Sequence, residues 1–327
     1  STSKDPTFQS NLGVPFINTC ISNKKEISEI IQGKHPQLKG TIHEDREIQA
    51  LIHFAAFSIV HESVADPICY YKNNVAKSIY LLDSIYKTNQ NWNKKPIPFI
   101  FSSTCSTYGM QNSFPITEGY SQKPLNPYAK SKYFFEEIIK DLSKSLNFKS
   151  VALRYFNVAG ASKDLLIGED RDHETHLIPL AIKTALGFND YLSIFGNDYD
   201  TPDGTCIRDY IHVCDVADAH VKAMELIYAE NNLEGNLKKN NLSNFEAFNL
   251  GIGEGYSVKE IIDVTEKITK TKLNIRLKKR RLGDPPILLA SNKKFKEKFD
   301  WEPKNKDISV IIEDSYKWQK KLYKTFF

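Results

Sequence analysis

The feature that most constrains the fold is the alternation of short apolar segments with helix-length amphipathic segments. Residues 50–54, 97–101 and 151–156 are apolar runs bounded by small or polar residues, as expected of strands covered on both faces in a parallel sheet. Between them, residues 74–86 and 131–146 place apolar side chains at helical spacing, and strand–helix–strand alternation predicts an α/β fold with right-handed crossovers. The predicted apolar stripes are Val75, Ile79, Leu82 and Tyr86, then Phe134, Phe135, Ile138, Ile139 and Leu142.

The pattern loosens after about residue 160, where shorter elements predict a mixed lobe. We therefore predict a sheet domain over residues 1–160 and a smaller mixed α/β lobe over residues 161–327, with segments crossing between them. The polar run 231–244 is predicted to be a surface loop. The other predicted elements are a helix 177–187 ended by Gly187, a strand 207–213, a helix 215–229 capped by Asp215, a strand 245–250, a helix opened by the capping box Ser257/Glu260, and a helix 308–322.

Composition excludes several classes of protein. Among 327 residues, 44 Lys and Arg against 40 Asp and Glu leave a net charge of +4, which gives little reason to expect a nucleic-acid partner. The longest apolar run, residues 50–60, is far shorter than the roughly 20 residues a membrane span needs. The few scattered cysteines form no CxxC pair, so we expect no metal site and a reducing, cytoplasmic location. They are Cys20, Cys69, Cys105, Cys206 and Cys214.

The sharpest chemical signal is the segment Tyr128-Ala-Lys-Ser-Lys132 at the start of a predicted helix. Residues four apart lie on one helix face, and an ammonium beside a phenol favours the phenolate. A free tyrosine titrates near 10, so only about one in a thousand is ionised at pH 7. A tyrosine that takes a proton from a sugar hydroxyl needs this help. The alternative interpretation is a first-turn tyrosine with a solvated lysine.

Hydroxyl-bearing residues precede this segment. Ser102-Ser103-Thr104 follows the strand 97–101, and hydroxyls at the carboxyl end of a parallel strand lie where open α/β sheets bind ligands. With Tyr108-Gly109 and Asn126-Pro127-Tyr128, they resemble the extended short-chain dehydrogenases/reductases. Further blocks, in the same order, resemble the UDP-glucose 4-epimerases: His53-Phe54-Ala55-Ala56, Glu62-Ser63, Tyr70-Tyr71-Lys72-Asn73-Asn74, Arg154-Tyr155-Phe156-Asn157, Thr175-His176-Leu177-Ile178-Pro179, Ile194-Phe195-Gly196-Asn197-Asp198-Tyr199, Asp203-Gly204-Thr205, Arg208-Asp209-Tyr210-Ile211-His212-Val213 and Gly283-Asp284-Pro285.

This resemblance implies a Rossmann-like, doubly wound parallel sheet and a function. Tyr128 would remove the proton from the 4-hydroxyl of the sugar, Lys132 would lower its pKa and bind the nicotinamide ribose, and Thr104 would bond the same oxygen. Hydride would pass from sugar C4 to NAD and return to the other face, so that UDP-galactose and UDP-glucose interconvert. The resemblance also implies a homodimer formed through the helices 74–86 and 131–146.

The same resemblance assigns binding roles by position. Arginines suit a diphosphate because their planar fork donates two hydrogen bonds. Besides Thr104, Tyr128 and Lys132, the implied cofactor residues are Phe54, Ala55, Ala56, Asn73 and Phe156, and the implied UDP-sugar residues are Asn157, Leu177, Phe195, Arg208, Tyr210, Arg281 and Asp284.

Two motifs admit other interpretations. Gly251-Ile-Gly253 imitates a dinucleotide fingerprint, but Tyr256 stands where a small residue is needed, so we interpret it as a tight turn. Lys278-Lys279-Arg280-Arg281 could be a nucleic-acid patch. Because the run has no aromatic residue beside it in the sequence, we favour a diphosphate clamp with solvated neighbours.

The sequence departs from the family at its start. A member should open with a strand, a glycine-rich turn, a helix and a second strand, and we expect these to be missing, which leaves a strand near residues 15–20 without its neighbour. Cys20 stands where an acidic residue is usual, and Ser58 where a basic one is. Leu288 occupies the position that gates the sugar pocket, and the choice between plain and N-acetylated sugars stays open.

Two alternative functions were weighed against the epimerase. A nucleotide-sugar 4,6-dehydratase places an acidic pair after the catalytic threonine, whereas Cys105 and Ser106 follow Thr104 here. An inactive or fragmentary sugar-nucleotide-binding remnant is favoured only by the expected absence of the glycine-rich unit.

Overall fold

The computed structural model describes residues 14–323 except 92–96, 147–148, 233–241 and 282. Its α-helices are α1 (Lys24–Ile31), α2 (Val60–Ala65), α3 (Pro67–Tyr71), α4 (Lys77–Asn91), α5 (Pro127–Leu146), α6 (Leu177–Ala185), α7 (Val213–Asn232), α8 (Val258–Thr269), α9 (Lys293–Phe299) and α10 (Ile308–Leu322). Its strands are β1 (Leu51–His53), β2 (Phe99–Thr104), β3 (Ser150–Tyr155), β4 (Asn157–Ala159), β5 (Leu192–Phe195), β6 (Ile207–Arg208), β7 (Tyr210–His212), β8 (Phe245–Leu250), β9 (Tyr256–Ser257), β10 (Ile275–Lys278) and β11 (Ile287–Leu288).

The largest sheet has four strands in the order β1-β2-β3-β8. β1 pairs in parallel with β2, with Leu51 opposite Phe99. Helices α2, α3 and α4 lie between these two strands in the sequence, and α5 lies between β2 and β3. The α/β expectation and its three leading strands are confirmed. β2 extends to Thr104, so Ser102-Ser103-Thr104 ends the strand and does not follow it.

By contacts, the chain divides into two units that interleave along the sequence. The boundaries after residues 103 and 153 fall near the carboxyl ends of β2 and β3, and the boundary after residue 247 falls in the middle of β8. The division at residue 160 into a cofactor domain and a substrate lobe stays a prediction. The first unit comprises 1–103, 126–153 and 223–247, and the second comprises 104–125, 154–222 and 248–327.

The core of the first unit is built where the helices meet the sheet. Phe99 and Phe101 of β2 pack with Phe135 of α5 and with Leu82 of α4. Phe101 and Phe135 meet edge to face, with ring centroids 4.9 Å apart, a favoured aromatic geometry. This packing fixes α5 against β2, and α5 carries the tyrosine–lysine pair.

The core of the second unit centres on three helices and β7. Ile178 and Ile182 of α6, Ile261 of α8 and Ile311 of α10 are fully buried together. Tyr210 of β7 joins this cluster. The capping box of Ser257 and Glu260 that opens α8 is confirmed by both of its hydrogen bonds.

Several sequence expectations are wrong in detail. Ile79 and Phe134 are more than two fifths exposed, so they lie outside the buried stripes of α4 and α5. The predicted strand 207–213 is interrupted at Asp209, and its halves β6 and β7 belong to different sheets. Residues 14–20 form no regular strand.

Asp215 does not cap α7, which begins two residues earlier at Val213. Its carboxylate instead accepts hydrogen bonds from the backbone N–H groups of Lys304 and Asn305, so a long-range contact overrides the local pattern. Most of the predicted loop 231–244 lies outside the described residues. Across the described part of the chain, no helix is both long and apolar enough to cross a membrane.

Candidate functional site

Tyr128 lies in the first turn of α5, next to Pro127 at the first helical position. Proline suits that position because its ring presets the helical φ and its missing N–H would have no helical partner there. The Asn126 side chain accepts from Ala129 N at 2.9 Å and caps the turn. Ser131 Oγ donates to Tyr128 O at 2.7 Å. The half-buried Tyr128 ring thus stands on a fixed helix start.

Lys132 follows one turn later and is almost completely buried. Its Nζ donates to Ser102 O at 2.7 Å and lies 4.8 Å from the centroid of the Phe101 ring. Burial lowers the pKa of Lys132 to about 7, and the nearby Glu136 carboxylate opposes this only in part. A lysine poised near neutral pH can gain or lose its charge as its surroundings change.

Buried polar groups surround Lys132. Ser103 Oγ donates to Glu136 Oε1, and Glu136 is fully buried. His53 forms a 2.9 Å hydrogen bond with Ser78 Oγ. Burial, followed by the charge of Lys132, lowers the pKa of His53 to about 3, so His53 is neutral. In the sequence, the only sign of these buried polar groups was His53, a histidine inside an apolar strand.

Asn74 is a positioning residue that sequence reasoning did not single out. It lies in a π-helical turn, Lys72–Ala76, a distortion that often marks functional sites. Its side chain accepts from Phe57 N at 2.8 Å and donates to Phe57 O and Ser131 Oγ, each at 3.0 Å. It therefore ties the segment after β1 to the helix that carries Tyr128.

Four of the predicted cofactor residues lie next to Phe57 or Asn74 in the sequence. Phe54 and Ala55 follow β1 and are exposed, and Ala56 is half-buried. Asn73 donates to Asn74 Oδ1 at 3.1 Å and accepts from Lys77 Nζ at 3.3 Å. This exposed segment is therefore held in place by the buried Asn74 side chain.

Thr104 and Phe156 belong to the second unit. Thr104 caps the short 3₁₀ turn Cys105–Tyr108, because its Oγ1 accepts from Ser106 N at 3.2 Å. Phe156 is buried in a cluster with Cys105 and Tyr108, against which the half-buried Leu288 also packs.

Arg208 and Asp284 form an ion pair, although 76 residues separate them in the sequence. The Arg208 side chain is 12% exposed and that of Asp284 is 28% exposed. Arg208 also donates to Ile207 O at 2.8 Å. Burial by itself lowers the pKa of Arg208. Asp284 and other neighbours raise this pKa by a larger amount, so it lies above its usual value. The guanidinium is held in place and always charged, as anion recognition requires.

Asp209 is a second residue to which sequence reasoning assigned no role. Its buried carboxylate accepts from three backbone N–H groups, those of Ile252, Gly253 and Ala290, at 2.8, 2.9 and 3.1 Å. Burial still raises the pKa of Asp209 to about 6. A Cβ at Gly251 would lie 2.6 Å from Asp209 Oδ2. Glycine is therefore required there, and the tight-turn interpretation of this segment is confirmed, with Gly253 at φ +83°.

The other predicted substrate residues lie near these groups in the second unit. Asn157 of β4 pairs with Tyr210 of β7. Leu177, the first residue of α6, packs against the cluster that contains Tyr210. Arg281 lies over the Phe195 ring, with Cζ 3.9 Å from its centroid. These residues form two groups, Asn157–Tyr210–Leu177 and Phe195–Arg281, beside the Arg208–Asp284 pair.

The described residues contain one cluster of potential metal ligands, Glu169, Glu174 and His176. Glu169 Oε1 already contacts Arg171 Nε and His176 Nδ1, each at 2.7 Å. A guanidinium on that oxygen repels a cation, so we interpret the cluster as an ion-pair network. The absence of a metal site stays a prediction.

The sequence is similar to families that act on nucleotide sugars. The family model described as GDP-mannose 4,6 dehydratase matches residues 28–313. A UDP-glucose 4-epimerase of Rhizobium meliloti is 44% identical over 83% of this chain and 76% of its own length. A UDP-glucose 4-epimerase of Streptococcus mutans is 41% identical over 84% of this chain and 77% of its own.

Solved structures of UDP-glucose 4-epimerases are also similar to this chain. The UDP-glucose 4-epimerase of Brucella ovis, in complex with NAD, superposes with a TM-score of 0.80 at 38% identity and covers 92% of this chain and 84% of its own. That of Bifidobacterium longum, in complex with NAD+ and UDP, gives a TM-score of 0.80 at 32% identity over 97% of this chain and 88% of its own. The chain therefore belongs to the UDP-glucose 4-epimerase family of the extended short-chain dehydrogenases/reductases.

Proposed function

We propose that this chain interconverts UDP-galactose and UDP-glucose through oxidation and re-reduction at sugar C4 with NAD, in galactose metabolism. The observation that carries the proposal is the buried Lys132 ammonium one helical turn after Tyr128. The identity to relatives named UDP-glucose 4-epimerase supports the same reaction. Membership of that family also disfavours an inactive remnant.

The residues around Lys132 fit NAD. An ammonium has three donors, and the described contacts use one of them, to Ser102 O. Two N–H groups thus have no partner among the described residues, which suits the two hydroxyls of a ribose. Phe54, Ala55, Ala56, Asn73 and Phe156 would line the cofactor. When bound, NAD supplies the acceptor and donor of the C4 hydride.

Tyr128 would hold the reacting proton. The Lys132 ammonium on the same helix face favours the phenolate, which takes the proton of the 4-hydroxyl and returns it when the sugar is reduced again. Thr104 would donate a hydrogen bond to the same sugar oxygen. Because both the hydride and the proton return to the sugar, the reaction has no net redox change.

Charged and aromatic residues of the second unit would hold UDP. Arg208 would bind the diphosphate with two N–H groups, and Asp284 keeps its guanidinium oriented. Arg281 over Phe195 would contact the nucleotide. The other proposed UDP-sugar residues are Asn157, Leu177 and Tyr210.

The test is conversion of UDP-galactose to UDP-glucose by the purified chain with added NAD+. We expect conversion by the wild type and by Tyr133→Phe, a matched loss of a hydroxyl on the same helix. We expect conversion by Tyr128→Phe to be slower by roughly 10²- to 10⁴-fold. Absence of conversion by the wild type would overturn the proposal.

A 4,6-dehydratase is the second candidate, since the matching family model carries that description. The residues after Thr104 are Cys105 and Ser106 and bring no carboxylate to eliminate water. We therefore expect mass spectrometry to find the product at the mass of the substrate. A product lighter by one water would favour the dehydratase.

We further propose a cytoplasmic homodimer. The cysteine spacing of the sequence supports a reducing compartment. Exposed apolar residues on α4 and α5 support a dimer: Ile79 is 41% exposed, and Phe134, which is 44% exposed, stacks on Tyr71 with centroids 6.0 Å apart. Sedimentation should give a dimer for the wild type and a monomer for Phe134→Glu, while Lys140→Glu, at an exposed position on another face of the same helix, should stay dimeric.

A further inference from the structure

The short sheet of β5 and β10 presents cations over aromatic rings. The strands pair in parallel, with Lys278 opposite Phe195. Because side chains alternate along a strand, Tyr191 and Phe195 share a face with Arg276 and Lys278. Leu192, on the opposite face of β5, is buried. The face of β5 that carries Leu192 therefore packs inward, and the opposite face of the sheet carries the charges.

The distances between cations and ring centroids show that cations and rings follow one another along this face. Arg276 Cζ lies 3.8 Å from the centroid of the Tyr191 ring. Lys278 Nζ lies 5.7 Å from Tyr191 and 5.8 Å from Phe195. Farther along the chain, Arg281 Cζ lies 3.9 Å from the centroid of the Phe195 ring. Each ring thus holds a cation in a favourable cation–π geometry and limits its motion.

The series continues to Arg280, whose Cζ lies 4.2 Å from the Tyr199 ring. A Cβ at Gly196 would lie 2.6 Å from Tyr199 and 2.7 Å from Arg280. Glycine at this position, with φ +85°, therefore lets the ring and the guanidinium pack on the backbone. Arg280 also pairs with Asp198 at 2.7 Å. We call Arg276, Lys278, Arg280 and Arg281 the cation ladder.

The cation ladder has aromatic residues beside it in space, although the sequence places none beside it. The run 278–281 has no aromatic residue beside it in the sequence, but folding brings it to rings about 80 residues away. The cations cover ring faces that a base would stack on, so the groups offered outward are charges. Phosphate is the ligand chemistry that such groups recognise.

The charge of the ladder is largely uncompensated. Arg280 is paired with Asp198, while no ion pair among the described residues includes Arg276, Lys278 or Arg281. Four cations and one carboxylate leave a net charge of +3 on exposed residues of β10 and of the segment that follows it. Such a surface raises the local concentration of anions and speeds their association.

We propose that Arg276 and Lys278 capture the diphosphate of the nucleotide sugar by electrostatic attraction before Arg281 and Arg208 bind it. The proposal rests on the proposed function, because it places the inner end of the ladder at the UDP site. Arg276 and Lys278 would act on association only, since Arg281 and Arg208 hold the bound nucleotide.

The test measures association and dissociation rate constants of a fluorescent anthraniloyl derivative of UDP by rapid mixing at several salt concentrations. In R276Q/K278Q we expect association at low salt to slow by about tenfold, at the low end of steering effects. Dissociation should be unchanged. The difference should vanish near 1 M salt, where the Debye length is about 3 Å.

The matched control is K25Q/K222Q, which removes two charges from exposed sites elsewhere. It should associate like the wild type. Equal slowing in the control, unchanged association in R276Q/K278Q, or a change confined to dissociation would each overturn the capture role. If the wild type does not bind the UDP derivative at all, the proposed function fails as well, whereas normal epimerisation with salt-independent association overturns capture alone.

Discussion

Lys132 and Arg208 are both buried cations, yet their pKa values shift in opposite directions. Lys132, in the first unit, donates to a backbone carbonyl, and burial lowers its pKa to about 7. Arg208, in the second unit, is paired with Asp284, and its pKa ends above the usual value despite burial. An opposite charge in direct contact outweighs desolvation in one case, and desolvation dominates in the other.

The difference between the two pKa shifts suits the two cations to different functions. A cation whose charge depends on its surroundings can help a tyrosine gain and lose a proton. A cation whose charge is fixed can hold a diphosphate at any physiological pH. The two regions are therefore built for proton handling and for anion binding, and variants of each should fail in different ways.

The largest effect is expected from Tyr128→Phe. Loss of the only proposed proton acceptor should reduce turnover by roughly 10²- to 10⁴-fold, the usual contribution of general acid–base catalysis. The dissociation constant for UDP should not change, because the proposed UDP residues lie in the second unit. Steady-state kinetics and calorimetry measure the two quantities. Unchanged turnover would contradict the assignment of Tyr128.

Arg208→Gln should act on binding. A hydrogen bond to a charged group contributes about 1.5–3 kcal/mol, so affinity for UDP should fall about 10- to 100-fold. Asp284→Asn should give a smaller loss, because Arg208 remains charged but is less well oriented. A double variant that loses less than the sum would confirm that the two residues act as a pair. Wild-type affinity in Arg208→Gln would show that the diphosphate binds elsewhere.

The lowered pKa of Lys132 predicts a pH-dependent stability. Between about pH 7 and its unfolded pKa, the unfolded chain binds a proton that the folded chain does not, so stability rises with pH. Relative to Lys132→Met, the free energy of unfolding of the wild type should increase by up to about 1.4 kcal/mol per pH unit in this window. Urea titrations from pH 6 to 9 measure it. Parallel curves for the two proteins would show that Lys132 is not desolvated.

Asp209 should show the opposite slope over a narrower window. Its folded pKa of about 6 lies above the ordinary value of 3.8, so the folded chain binds the extra proton and stability falls as pH rises between these values. The total change should be smaller than for Lys132 because the window is shorter. Urea titrations of the wild type and Asp209→Asn from pH 4 to 7 test this. A difference that does not vary with pH would contradict the raised pKa.

Local patterns in the sequence predicted the elements that carry the site. The Tyr128–Lys132 spacing, the proline before it and the capping box at Ser257 depend on residues within one turn of each other. The structure confirms the helix and the cap. The prediction for Asp215 was wrong because its carboxylate bonds a segment about 90 residues away.

Sequence reasoning placed Asn74 and Asp209 in family motifs but assigned them no role, because their roles depend on distant backbone groups. Asn74 binds Phe57 and Ser131, and Asp209 binds segments near residues 252 and 290. Polar residues inside apolar or helical segments were a signal of burial in both cases. Their partners could not be identified, because a sequence does not state which backbone groups remain unpaired after folding.

By itself, the sequence determined the α/β alternation, the tyrosine–lysine helix and the likeness to nucleotide-sugar epimerases, since these are written in local spacing and ordered motifs. The tertiary structure decided how each charge behaves. Burial of Lys132, the pairing of Arg208 with Asp284 and the rings under the cation ladder all join residues far apart in the chain. Desolvation and Coulomb attraction depend on distance in space, so only the folded chain could set them.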